Sequence, residues 1–98
     1  MAKTYTWEIE ETVTNIETEE EETVLHKVSL VCSYLSGKAI ITIDGDEFNI
    51  STRPLGLKGT NQVFRLGEMP AIIDFPKSGE PDIVIDGIYQ RSKKPYNA

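Results

Sequence analysis

The stretch Ala39-Ile40-Ile41-Thr42-Ile43-Asp44-Gly45-Asp46-Glu47-Phe48-Asn49-Ile50 decides the fold class. A run rich in β-branched side chains, which suit a pleated surface, meets Asp-Gly and then a second short run. Both central residues of a type I′ turn need positive φ, and Asp and Gly tolerate it, so Asp-Gly predicts a two-residue hairpin. With Asp44 and Gly45 in the loop, Ile43 faces Asp46, Ile41 faces Phe48 and Ala39 faces Ile50. Apolar meets apolar at Ile41–Phe48 and Ala39–Ile50, so the register is self-consistent.

The pattern repeats on both sides. Toward the C-terminus, Ile83-Val84-Ile85 leads into Asp86-Gly87 and Ile88-Tyr89, which pairs Ile85 with Ile88 and Val84 with Tyr89. Between the two hairpins, Gln62–Leu66 ends at Gly67, and Ala71–Phe75 is bounded by Pro70 and Pro76. Arg53–Asn61 and Lys77–Asp82 carry the Gly, Pro and Lys of loops. Toward the N-terminus, Val24, His26, Val28, Leu30, Cys32 and Tyr34 alternate with a mostly polar set, the period-2 signature of a half-buried strand. Leu25 and Val31 break that alternation and suggest partial cover on the second face. Tyr5, Trp7 and Ile9 alternate with Thr6 and Glu8. Ile9, Val13 and Ile16 also fit helical spacing, but the threonines at 12, 14, 18 and 23 favour strand–loop–strand.

These segments predict an all-β fold, an antiparallel β-sandwich of about seven or eight short strands in one domain over 1–98. The expected core is Trp7, Val28, Leu30, Cys32, Ile41, Ile43, Phe48, Phe64, Ile73, Phe75, Val84 and Ile85. The Glu-rich segment 17–22 is expected as a loop, and 91–98 as a basic tail that lies near that loop or frays.

Charge bounds the partners. The chain carries 16 acids against 10 bases, net −6, which argues against nucleic acid because phosphate neutralisation needs surplus Lys and Arg. The acidity is local: eight glutamates and no base fall between Glu8 and Glu22, whereas bases outnumber acids after Asn49. No apolar run approaches the roughly 20 residues of a membrane span, and the polar start Thr4-Tyr5-Thr6-Trp7-Glu8 carries no secretory signal. A cytoplasmic location is expected, and the single Cys32 fits a reducing compartment. Asn49-Ile50-Ser51 then reads as a chance match to a glycosylation sequon.

Chemistry-bearing motifs are few. Cys32 and His26 are the only thiol and imidazole, six residues apart in one strand, which separates their Cα atoms by about 20 Å and rules out a dyad. Cys32 reads as a core residue and His26 as a structural or interface residue. One His and one Cys make no zinc set. Asp44-Gly45-Asp46-Glu47 lacks the 12-residue ligand frame of a calcium loop, and Gly56-Leu57-Lys58-Gly59-Thr60 lacks the order of a phosphate loop. No catalytic, cofactor or metal residue is assigned, and the expected protein is not an enzyme. The alternative is an acidic ligand- or metal-binding module using the Glu-rich segment.

The order of short motifs resembles one domain of the Fas apoptotic inhibitory molecule family. The pieces are Trp7-Glu8, His26-Lys27-Val28-Ser29-Leu30, Ser36-Gly37-Lys38 leading into Ile41-Thr42-Ile43-Asp44-Gly45, then Phe64-Arg65-Leu66-Gly67, and Ile83-Val84-Ile85-Asp86-Gly87. They cover most of residues 7–89. The resemblance implies an antiparallel β-sandwich without a cofactor, acting through protein contacts in protective roles against cell death and aggregation. The chain departs from the family in having one such domain where two are usual, in the acidic segment Thr12–Thr23, and in the short strand Ala71–Phe75. The matching motifs are turns and core positions, so no functional residue carries over. The expected function is a protein-interaction or protective domain that binds a protein partner or a second copy through an exposed sheet edge, with neither nucleic acid nor membrane as partner.

Overall fold

The computed structural model describes residues 3–96. Among the described residues there are eight strands and no helix: β1 (Lys3–Thr14), β2 (Glu21–Ser33), β3 (Lys38–Ile43), β4 (Asp46–Asn49), β5 (Thr60–Leu66), β6 (Met69–Phe75), β7 (Asp82–Ile85) and β8 (Ile88–Tyr89). They form two antiparallel four-stranded sheets, β1-β2-β3-β4 and β5-β6-β7-β8, each in chain order. Each sheet is therefore a meander whose third and fourth strands are joined by Asp-Gly. The all-β sandwich reading holds.

Both predicted hairpins have the predicted register. Ile41 pairs with Phe48 and Ile43 with Asp46, while Ile50 N–H donates to the Ala39 carbonyl at 2.9 Å. Val84 pairs with Tyr89 and Ile85 with Ile88. The turn residues sit where type I′ chemistry puts them, with φ of 49° at Asp44 and 91° at Gly45, and 53° and 74° at Asp86 and Gly87.

The inner faces meet over one apolar core. Tyr5, Trp7, Ile9, Val28, Leu30, Cys32 and Ile41 come from the first sheet, and Leu66, Ala71, Ile73, Phe75, Ile83 and Ile85 from the second. Leu57, from the loop between sheets, fills its end. Val84 is also buried. Ile43 and Phe64 pack against this cluster only partly buried.

Five expectations are corrected. Phe48 lies 51 % exposed, because β4 is an edge strand of four residues whose side chains all reach solvent. Leu25 and Val31 are exposed, on the outer face of β2. The loop expected at 17–22 is shorter, since Glu21 and Glu22 already pair with Thr14 and Val13. Pro70 lies inside β6 opposite Arg65. β7 pairs with β6 only at Ile72–Asp74, so Pro70 has no ladder partner on that side and sits where β6 is locally an edge.

The fifth correction is the tail. Residues 91–96 are tied to the second sheet. Ile88 bridges Pro95, Tyr96 N–H donates to the Gly87 carbonyl at 2.7 Å, and the Tyr89 and Tyr96 rings meet edge to face at 5.5 Å. Residues 97 and 98 of the expected tail lie outside the described residues.

The molecule is elongated, 50 × 28 × 17 Å. Its radius of gyration of 14.6 Å exceeds the about 13 Å typical of a compact chain this long. The cause is the β1–β2 hairpin. β3 pairs with β2 only as far as Val28, so beyond His26 the hairpin runs on as a two-stranded ribbon. Across this ribbon no Glu faces another Glu: Glu10 opposes Leu25, Glu22 opposes Val13 and Glu21 opposes Thr14. Like charges are thus kept out of directly opposed positions.

Candidate functional site

The chain's only histidine sits where that ribbon leaves the sandwich. Its even position in β2 turns His26 inward, and it is 6 % exposed. The same alternation on β1, through Tyr5, Trp7 and Ile9, carries Glu11 inward as well, and it is 5 % exposed. Nδ1 of His26 lies 2.6 Å from Asp44 Oδ2, and Nε2 lies 2.9 Å from Glu11 Oε1. Each remaining carboxylate oxygen accepts a backbone N–H, Asp44 Oδ1 from Lys27 at 2.8 Å and Glu11 Oε2 from Glu68 at 3.1 Å. The cluster thus joins β1, β2 and the β3–β4 turn of one sheet to the β5–β6 turn of the other.

Its protonation state follows from counting donors. A neutral imidazole carries one N–H, whereas two carboxylates here flank two ring nitrogens. Both contacts are satisfied only by the imidazolium. The Asp44 hydrogen bond, then that of Glu11, pushes the His26 pKa up against the opposing effect of burial. The His26 bond, then the Lys27 N–H, pulls the Asp44 carboxyl below its ordinary value.

Space around the cluster is tight. Gly67, at φ +61°, passes so close that an added Cβ would clash with Glu11 Oε1 and fall 3.3 Å from His26 Cε1. Glycine is required there for its backbone conformation and for the approach of the turn to the carboxylate.

The geometry pins the ring from both sides. Both ring nitrogens are occupied, and the carboxylates lie on opposite sides of the ring rather than converging on a common point. Cys32 lies six residues along β2, opposite Lys3, and burial pushes its thiol pKa up, away from the reactive thiolate. Among the described residues no group of three or more His, Cys, Asp or Glu side chains is placed to hold a metal ion.

A second buried acid closes the sandwich on the β1 side. Asp82 Oδ1 accepts the Trp7 indole N–H at 3.1 Å and the Ile83 N–H at 2.8 Å. Its Oδ2 accepts from the backbone of Arg91 at 3.0 Å and Ser92 at 3.3 Å. The Arg91 guanidinium then lies over the rings of Trp7 and Tyr5, 5.0 and 5.3 Å from their centres. This stacking turns the predicted basic tail into part of the fold.

The opposite side stays open. Between the edge strands β4 and β5 runs a groove of about 450 Å³, lined by Ile41, Ile43, Phe48, Val63, Phe64 and Arg65, among others. Val63 is 67 % exposed at its rim. No family model, curated protein or solved structure matches this chain.

Proposed function

We propose that the chain is a non-enzymatic cytoplasmic interaction domain that binds a second copy of itself by strand addition at β5. The carrying observation is the character of that edge. β5 is an edge strand of seven residues with one charge, Arg65, and an exposed Val63 beside the open groove. Natural edges are usually guarded by charge, proline or brevity. β4 is guarded by its length and by Asp46 and Glu47, and β8 by its two-residue length and the Pro95 bridge. β5 is longer than either and carries only Arg65.

A second copy suits this edge by charge and symmetry. An antiparallel pair of β5 strands centred on Val63 sets Val63 against Val63, Phe64 against Gln62 and Arg65 against Asn61, with no like charges opposed. The occupied ring nitrogens of His26 and the buried Cys32 thiol support the non-enzymatic part of the reading. The motif resemblance to the Fas apoptotic inhibitory molecule family supports a protective role through protein contacts. Light-scattering mass against concentration tests the proposal. A mass rising above 11.0 kDa, abolished by Val63→Lys, is expected. A monomer at every concentration, or a dimer that Val63→Lys leaves intact, would overturn it.

A further inference from the structure

We propose that His26 is a proton-operated latch: loss of its proton detaches the Asp44 turn while the contact to Glu11 persists. The proposal starts from the unequal surroundings of the two carboxylates. The Glu11 side chain is 6 % exposed, and the Asp44 side chain is 43 % exposed. A neutral imidazole keeps one N–H and can serve one of them. Water can replace a lost hydrogen bond at Asp44, but it has little access to Glu11, where an unpaired buried charge is costly. The remaining proton therefore stays on Nε2, toward Glu11. Nδ1 then presents a lone pair to an oxygen 2.6 Å away, and the contact becomes repulsive.

The charged groups facing the ring are few. Glu11 comes from β1 and Asp44 from the β3–β4 turn. The β5–β6 turn presents Gly67 and the Glu68 backbone, and the residue opposite on β1 is Ile9. Lys27 points to the opposite, exposed face. Among the described residues, no other charged group acts on the ring. What Asp44 holds is also local. Its Oδ1 covers the Lys27 N–H, and its own N–H donates to the Lys27 carbonyl at 2.9 Å, completing the β2–β3 ladder beyond the Val28–Ile43 pair. Detachment loosens that ladder end and the exposed β4 hairpin. The latch does not rest on strand addition at β5.

The sign is alkaline opening. His26 has a raised pKa when folded, so its stabilisation is full below the unfolded value of about 6.5 and is lost as pH rises through the folded value. The full chain, labelled with nitrogen-15, provides the test by magnetic resonance. As pH rises through the His26 titration, the neutral ring should appear as the Nε2–H tautomer. Protection of the Lys27 amide, corrected for intrinsic exchange, should fall about tenfold or more, roughly the worth of one charge-assisted hydrogen bond, while Leu30 in mid-β2 keeps its protection. In Asp44→Asn the Lys27 step should vanish. A neutral ring protonated on Nδ1, a Lys27 amide that tracks Leu30, or a step that survives in Asp44→Asn would each overturn the latch.

Discussion

Asp44-Gly45 and Asp86-Gly87 are the same turn twice. The backbone angles nearly coincide, both turns follow an Ile-x-Ile run, and both join the third and fourth strands of a four-stranded meander. The carboxylates behave differently. Asp44 bonds the buried His26 ring and the Lys27 N–H, whereas Asp86 is exposed and makes no side-chain hydrogen bond to another described residue. Turn chemistry explains why aspartate stands at each position, but it does not say which one the fold recruits. The recruiter is the inward histidine on the strand beside β3, a feature the second meander lacks.

Substitutions at the two turns and around His26 test this contrast. The largest effect should come from His26→Ala, which strands Glu11 as a buried charge and should cost about 3–5 kcal/mol in urea unfolding. Next is Gly67→Ala, which combines a left-handed backbone with a Cβ driven into Glu11 and should cost about 2 kcal/mol or more. Gly45→Ala is its control. An added Cβ there meets nothing within 4 Å, so only the backbone penalty of about 1 kcal/mol remains.

Asparagine tolerates the turn conformation, so Asp→Asn isolates the charge. Asp44→Asn should cost about 1.5 kcal/mol through its charge-assisted bond to His26. It should also flatten the decline of stability on raising pH through the His26 titration. The acid side is governed by Asp44 itself. Its lowered pKa means its contribution is present above the ordinary carboxyl value of about 3.9 and is lost as pH falls through the folded value. Asp86→Asn should change stability by no more than about 0.5 kcal/mol and leave the pH profile parallel to the parent.

Much of the fold could be read from period-2 alternation and Asp-Gly turns, including both hairpin registers. The exposure of Phe48 could not, because pairing it correctly with Ile41 says nothing of β4 being a short edge. The cluster around His26 was half legible. His26 falls on the inward set of β2, but Glu11 stands among eight glutamates between Glu8 and Glu22 that mark only local acidity. Extending the Tyr5–Trp7–Ile9 alternation by one step would have flagged it, since position 11 shares their face. Asp82 and Arg91 were hidden differently. Their contacts to Trp7 span 75 residues for Asp82, and no local pattern announces a partner that distant.

Between Glu11 and Asp44, His26 is held as an imidazolium. A pH titration of its ring nitrogens by nuclear magnetic resonance in the intact chain tests this most directly. Both nitrogens should be protonated at neutral pH, with a midpoint above the ordinary histidine value of about 6.5. A ring already neutral at pH 7, with a midpoint at or below that value, would contradict the account.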